Sequence, residues 1–225
     1  MSQFNLANIQ RTLKQSPQQV RLIAVTKNLE VDKIKELLAA GVDTIGENRV
    51  QEAARKFLEL KFPCEKHLIG HLQTNKVQQA LELFDVIDSV DSLKLAQKIS
   101  EEARKLGKII PILLEVNIAG EEQKYGFKVS ELENALKEIQ GLSSLEVRGL
   151  MAMVPFTEDP ETSRPYFREM KKLADKFKLP ELSLGTSQDW ELAVEEGATM
   201  VRVGRGLFGN RGQLTVDMGQ KTKEP

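Results

Sequence analysis

The chain has 225 residues, and 32 Lys and Arg against 33 Asp and Glu give it a formal net charge of −1. This near-neutral balance gives no electrostatic reason to expect a nucleic acid partner, and the single cysteine, Cys64, excludes an internal disulfide. No apolar run approaches the roughly 20 residues that span a bilayer, and the N-terminus lacks the basic and apolar regions of a signal peptide. We therefore expect a cytoplasmic protein that has no membrane partner.

Residues 2–15 predict a helix, and after them short β-rich runs alternate with segments of helical spacing. The predicted strands are 21–27, 42–48, 65–72, 84–90, 110–118, 146–153, 181–187 and 200–204. The predicted helices between them are 31–40, 49–60, 92–106, 130–140, 162–177 and 189–195. Strands that alternate with helices indicate βαβ units and a parallel sheet.

Eight predicted strands within residues 21–204 favour a single-domain (β/α)8 TIM-like barrel of the α/β class, with an extra N-terminal helix. An open doubly wound sheet is the alternative. Its Gly-x-Gly-x-x-Gly turn is missing after the first strand, where Lys27-Asn28-Leu29-Glu30 stands. No linker interrupts the pattern, so we predict one domain over residues 1–212 and a flexible tail over 213–225.

In such a barrel, function lies at the C-terminal strand ends, and Lys27 ends the first strand. Period-two alternation puts Ile23, Val25 and Lys27 on one face. If that face points into the barrel, desolvation would lower the pKa of the Lys27 amine and expose a nucleophile that attacks carbonyls. The pattern alone leaves open an ordinary lysine that pairs with Glu47 or with solvent.

Two small-residue turns form a second candidate site. Residues 183–187 end the seventh strand, and Gly204-Arg205-Gly206 ends the eighth. The loops after strands 7 and 8 of these barrels recurrently bind phosphate through backbone N–H groups. Ser187 would add a hydroxyl, and Arg202 would add a charge-assisted bond to a phosphate or a ring nitrogen. Each turn taken alone is equally consistent with a tight turn.

The remaining polar strand ends are weaker candidates. A lone histidine such as His71 is more often a packing or capping residue, and nothing in the sequence fixes the separation of Glu47 and Glu115. Met151 is expected in the core or in a pocket wall. No second His or Cys stands at ligand spacing, so we predict no metal site.

The sequence closely resembles the pyridoxal-phosphate homeostasis proteins, the YggS/PROSC group that includes the PipY type. Ordered motifs that span about residues 20–210 carry this resemblance. They are AVTK (24–27), IGENRVQE (45–52), HLIGHLQTNK (67–76), EVNI (115–118), KYGF (124–127), RGLM (148–151), LSLGTS (182–187) and VRVG (201–204), with Phe208-Gly209 after them. Two positions depart from the family's usual pattern, Thr186 and the Arg205-Gly206 pair.

The resemblance implies a barrel of the alanine racemase N-terminal-domain type that binds pyridoxal 5'-phosphate (PLP) as a reversible Schiff base on Lys27. It further implies that Ser187 and the turn Gly204-Arg205-Gly206 bind the phosphate. Asn48, Met151 and Arg202 would then surround the ring, and no residue is assigned a catalytic role.

Three functions remain open at this point. The favoured one is a carrier or regulator in vitamin B6 and amino/keto-acid homeostasis, without dedicated turnover, whose partners are PLP and apo-enzymes that use it. The second is a PLP-dependent amino-acid racemase, although racemases with this barrel take a second base from another domain, which these motifs do not include. The third, from the pattern alone, is an aldolase-like enzyme that uses Lys27. We expect a monomer.

Overall fold

The structure, a computed structural model, describes residues 5–208, which form a closed barrel of eight parallel strands. Each strand pairs with the next along the chain, and β8 pairs with β1. The strands are β1 (Arg21–Val25), β2 (Thr44–Glu47), β3 (Glu65–Leu68), β4 (Val86–Val90), β5 (Ile110–Glu115), β6 (Leu145–Met151), β7 (Glu181–Ser183) and β8 (Met200–Val203). The predicted (β/α)8 barrel is confirmed, and the doubly wound alternative is wrong.

The helices surround the barrel. They are α1 (Leu6–Lys14), α2 (Val31–Ala39), α3 (Val50–Phe57), α4 (Val77–Leu83), α5 (Leu93–Lys105), α6 (Leu132–Gln140), α7 (Arg164–Phe177) and α8 (Trp190–Glu195). Short 3-10 turns cover Thr74–Lys76, Pro160–Ser163 and Arg205–Phe208. The extra N-terminal helix is confirmed as α1. It starts beside the turn after β8, where the Asn5 N–H donates to the Leu207 carbonyl at 2.7 Å.

The alternation of side chains along the strands creates two apolar regions. On β1, Leu22 and Ala24 pack outward in the large core between strands and helices. Ile23 instead packs inside the barrel with Leu113, Met151 and Met200, all fully buried or nearly so. This inner layer fills the barrel below its C-terminal mouth, so polar groups at the mouth stand above a packed apolar floor.

The predicted boundaries differ from the structure mainly at the mouth. The predicted third strand runs to residue 72, yet β3 ends at Leu68, and the seventh ends at Ser183 instead of residue 187. Beyond β3 the backbone of Gly70 closes on Asn48, where a β-carbon on Gly70 would lie 2.5 Å from the Asn48 carbonyl oxygen. The seven-residue helix α4 lies where no helix is predicted. The tail predicted over 213–225 lies outside the described residues.

Candidate functional site

The C-terminal strand ends meet at one mouth of the barrel. Lys27 follows β1, Asn48 follows β2, Ser187 follows β7 and Gly204 follows β8. Because β8 pairs directly with β1, the turn after β8 lies beside the turn that carries Lys27. A β-carbon placed on Gly204 would lie 3.3 Å from the β-carbon of Val25. The fold thus places the predicted lysine beside the predicted phosphate turn.

Three hydrogen-bonding groups converge between the loops after β7 and β8. The N–H groups of Gly204 and Gly206 both point at the Ser187 Oγ, at 3.2 and 3.3 Å. Gly206 allows this approach, because a β-carbon there would lie 3.0 Å from Val203 Cγ1 and 3.7 Å from Ser187 Oγ. Anions bind to groups of this kind, in which two backbone amides converge and a hydroxyl still has its hydrogen to donate.

The loop that presents Ser187 is held in place by its own contacts. Gly185 has φ +77°, and a β-carbon on it would lie 2.7 Å from Ala193 Cβ, so only glycine lets the loop approach α8 this closely. The N–H and hydroxyl of Thr186 both donate to Asp189 Oδ1, at 2.7 and 3.1 Å. The Ser187 hydroxyl is therefore presented by a preformed loop.

Arg202 is buried inside the barrel near this loop. Its guanidinium donates to Ser183 Oγ at 2.6 Å, to the Ala152 carbonyl at 2.8 Å and to Met153 Sδ at 3.1 Å. Its side-chain hydrogen bonds thus go to the ends of β6 and β7, and none joins the Ser187 group. Burial lowers the pKa of Arg202 from its ordinary value, and the charges of Asp88, Asp189 and Glu115 oppose that change.

The other predicted site residues lie at different depths. Met151 is fully buried in the inner apolar layer, where it forms part of the floor. Asn48 is half-buried at the end of β2, against the backbone of Gly70. Arg205 is exposed at the start of the last 3-10 turn. Lys27, Asn48, Ser187 and Gly204–Gly206 therefore surround the mouth, and Met151 and Arg202 lie beneath it.

Lys27 departs from the sequence-based expectation in two ways. The strand ends at Val25, and Lys27 lies in an exposed turn, so the predicted desolvation of its amine is not seen. Of the alternative, the pairing with Glu47 is wrong, because Glu47 points outward from the barrel and bonds to Thr26 and Lys56. The other half of that alternative, a lysine that meets solvent, agrees with the exposed position of Lys27. Within the described part of the chain, the Lys27 amine forms no hydrogen bond or ion pair, so it is free to react.

A histidine–tyrosine pair lies on the far side of the mouth, where the sequence shows only weak signals. His71 Nδ1 lies 2.7 Å from Asp91 Oδ2, and the imidazole stacks on the Tyr125 ring with centroids 3.7 Å apart. These residues follow β3, β4 and β5, whereas the Ser187 group follows β7 and β8. The stacking joins segments far apart in the chain, so spacing alone could not reveal it.

Glu115 is a second group that sequence reasoning set aside. It ends β5, and burial raises its pKa to about 7, with the charge of Asp91 adding to the rise and that of Arg202 opposing it. A carboxyl group with this pKa exchanges a proton near neutral pH. The mouth therefore holds a titratable acid that composition and spacing did not single out.

The described residues contain neither a metal-binding cluster nor a membrane-spanning helix. Over residues 5–208, no group of three or more His, Cys, Asp or Glu side chains is arranged to hold a metal ion. None of the helices in that range combines the length and apolar character needed to cross a membrane.

Comparisons with known proteins identify relatives over nearly the whole chain. Residues 3–212 match the family described as the alanine racemase N-terminal domain. A pyridoxal phosphate homeostasis protein from Aquifex aeolicus is 40% identical over 198 residues, which cover 85% of this chain and 87% of the relative. The match therefore spans the strands, the helices and the mouth.

Solved structures of related proteins show the same fold. PipY from Synechococcus elongatus without PLP superposes with a TM-score of 0.85 at 39% identity, over 91% of this chain and 98% of PipY. The same protein with PLP bound gives a TM-score of 0.83 at 38% identity over the same shares. Alanine racemase from Clostridium difficile, at 18% identity and TM-score 0.76, covers 93% of this chain and 56% of the racemase, and shows the fold alone.

Proposed function

The chain belongs to the pyridoxal phosphate homeostasis proteins, and from that premise we propose that it binds pyridoxal 5'-phosphate reversibly at the barrel mouth and has no dedicated turnover. The proposal depends on two features that lie next to each other because β1 pairs with β8. One is the free amine of Lys27, and the other is the group formed by Ser187, Gly204 and Gly206. An aldehyde and a phosphate on one molecule match these two features.

The residues present fit the phosphate. The two amides and the hydroxyl supply donors without a competing carboxylate among them, and the glycine at 206 leaves the space above Ser187 open. The half-buried Asn48 and the floor built on Met151 would flank the ring. Arg205, exposed at the same turn, would add positive charge at the entrance.

PLP, when bound, supplies an aldehyde that condenses reversibly with a primary amine. Lys27 would provide that amine at Nζ, and an incoming amine or water would release the ligand again. Phosphate contacts combined with one reversible covalent bond suit a protein that stores and delivers its ligand. We propose that the recipients are apo-enzymes that use PLP, and that the role serves vitamin B6 and amino/keto-acid homeostasis.

Arg202 would favour binding without turnover if its guanidinium faced the ring nitrogen of the bound ligand. A guanidinium keeps its protons, so when placed near the ring nitrogen it would disfavour ring protonation. An unprotonated ring withdraws electrons weakly, so it would stabilise a carbanion at the Cα of an amino acid only weakly. The bonds of Arg202 to Ser183 and Ala152 hold its guanidinium in the barrel interior, beneath the mouth, and away from the phosphate group.

The absorption spectrum of the purified protein with added PLP tests this proposal. We expect a visible imine band in the wild type and in Lys172→Ala, whose exposed lysine lies on α7, but no band in Lys27→Ala. A wild type that stays colourless would overturn PLP binding. A band retained by Lys27→Ala would overturn the assignment of the anchor. Release of PLP to an added apo-enzyme, followed by its recovered activity, tests delivery.

An amino-acid racemase or related PLP enzyme is the second candidate, because groups able to move protons lie at the mouth. Burial raises the pKa of the Glu115 carboxyl to about 7, and Asp91 orients His71. Exchange of the Cα proton of amino acids in deuterium oxide distinguishes the two candidates. Sustained exchange that Glu115→Gln abolishes would establish turnover, whereas no exchange across a panel of amino acids supports the carrier.

We also propose that the carrier acts as a cytoplasmic monomer. The single cysteine, which can form no internal disulfide, supports the cytoplasmic location. Size-exclusion chromatography with light scattering tests the oligomeric state, and a mass near twice 25.3 kDa would overturn it.

A further inference from the structure

The motif at residues 45–52 contains two acidic residues that the proposed site does not use. Both carboxylates lie behind the turn that carries Lys27, and Lys56 joins them. We propose that Glu52 and Lys56 are positioning residues, which fix the backbone on either side of Lys27 and so determine where its amine enters the mouth. This inference rests on the proposed function, in which Lys27 is the anchor.

The contacts fall on the two peptide groups that flank Lys27. Lys56 Nζ donates to the carbonyl of Thr26 at 2.8 Å, and the N–H of Asn28 donates to Glu52 Oε1 at 2.7 Å. Lys56 and Glu52 bond to each other at 2.6 Å from successive turns of α3. One ion pair therefore holds the residue before Lys27 and the residue after it.

The turn needs such support because regular structure ends just before it. β1 stops at Val25, and the Thr26 N–H bonds to the Gly46 carbonyl at 2.9 Å. Asn28 adopts φ +60°, a left-handed conformation that costs most L-residues energy and that asparagine adopts more readily than most. Within residues 5–208, no hydrogen bond or ion pair holds the Lys27 side chain. Its position is therefore set by its backbone. That backbone is held by the turn bond from the Leu29 N–H to the Thr26 carbonyl at 3.1 Å and by the two contacts from α3.

The surroundings of Lys56 make the arrangement rigid. Lys56 is 9% exposed, and it also bonds to the fully buried Glu47 at 2.9 Å, which in turn accepts the Thr26 hydroxyl at 2.7 Å. Burial raises the pKa of Glu47, against the hydrogen bonds from Thr26 and Lys56. Burial also acts to raise the pKa of Glu52, but the bonds from Lys56 and the Asn28 N–H outweigh it and lower that pKa. The bond between the buried Lys56 and Glu47 is thus shielded from the solvent that weakens exposed ion pairs.

Glu52→Ala tests the proposal, with two ligands measured on the same protein. Covalent capture of PLP is followed by the imine band, and non-covalent binding by pyridoxine 5'-phosphate, which has the ring and phosphate but no aldehyde. A small displacement of a reacting group lowers its reactivity by roughly ten- to a hundredfold. We therefore expect a loss of that size in the rate of imine formation, with the affinity for pyridoxine 5'-phosphate unchanged within about twofold.

Glu101→Ala is the matched control. Glu101 forms the same (i, i+4) pair with Lys105 at 2.7 Å, on the exposed face of α5 and away from the mouth. The Glu101→Ala protein should form the imine with PLP at the same rate as the wild type. Glu52→Gln keeps an oxygen acceptor for the Asn28 N–H, so it should recover most of the lost rate. If Glu52→Ala does not fold, as judged by circular dichroism, Glu52→Asp takes its place in the test. Aspartate has a side chain shorter by one methylene, so its carboxylate draws back from the Asn28 N–H.

The outcomes separate this proposal from the one on which it rests. Wild-type imine formation in Glu52→Ala, alongside its loss in Lys27→Ala, would overturn the positioning role and leave the anchor in place. Equal losses for PLP and for pyridoxine 5'-phosphate would also overturn it, because they would show a general defect of the pocket. A slow imine step with intact binding of pyridoxine 5'-phosphate would establish it.

Discussion

A buried histidine–aspartate pair inside the barrel predicts how stability depends on pH. His67 and Asp88 have fully buried side chains, and Nδ1 lies 2.7 Å from Oδ1. Burial acts to lower the pKa of His67, but the charge of Asp88 and hydrogen bonds to Asp88 and Glu65 outweigh it and raise that pKa to about 9. The folded protein therefore holds a proton on His67 at pH values where the unfolded chain has released it.

The size and sign of the effect follow from proton linkage. A pKa raised from 6.5 to about 9 corresponds to on the order of 3 kcal/mol of stability, at about 1.4 kcal/mol per pKa unit. This contribution is fully present below the unfolded pKa of about 6.5 and is lost as pH rises through about 9. Asp88→Asn removes the opposite charge and with it most of this pH dependence.

Urea unfolding at pH values of about 6 and about 9.5 measures the effect. We expect the wild type to lose on the order of 3 kcal/mol between them and Asp88→Asn to lose much less. Effects of the substitution that are the same at both pH values cancel in this comparison. Asp91→Asn is the control, because its partner His71 is one-third exposed at the same 2.7 Å distance. An equal pH dependence in wild type and Asp88→Asn would refute the reasoning.

Three other substitutions test the site and the core. Ser187→Ala removes the hydroxyl that we propose binds the phosphate and should weaken pyridoxine 5'-phosphate binding by about 1.5–3 kcal/mol in calorimetry; an unchanged Kd would place the phosphate elsewhere. Lys27→Ala removes an exposed side chain and should change the unfolding free energy by less than about 0.5 kcal/mol, whereas a large loss in urea titration would reveal a structural role. Phe167→Ala empties a fully buried position on α7 and should cost about 3–5 kcal/mol; a smaller loss would show that the core relaxes around it.

Much of the fold was predictable because its elements follow local rules. The alternation of apolar runs with helical spacing indicated eight strands, and small residues at 204 and 206 marked the turn after the last one. The seven-residue helix α4 was missed, and it lies in the stretch between the predicted third and fourth strands. Strand ends at the mouth were placed too late, because the chain leaves the extended conformation earlier than the apolar pattern suggests. It turns at Lys27 and Asn28 after β1, and Gly185 after β7 has φ +77°.

The state of Lys27 was not predictable from its own strand. Alternation gave the correct residue for the mouth but suggested a desolvated amine, whereas the chain turns after Val25 and leaves Lys27 exposed. Besides its own bond from the Leu29 N–H to the Thr26 carbonyl, that turn is held by Glu52 and Lys56 of α3. Such contacts depend on how a helix packs behind a strand, and neither the spacing of residues nor the composition of the chain reveals that packing.

Reduction of the PLP-loaded protein with borohydride, followed by peptide mass spectrometry, tests most directly whether Lys27 is the anchor. Reduction turns a reversible imine into a stable secondary amine on the lysine that formed it. We predict a single pyridoxyl adduct, on the peptide that contains Lys27, at a stoichiometry near one per chain. An adduct confined to another lysine, or no adduct on a protein that retains PLP, would contradict this assignment.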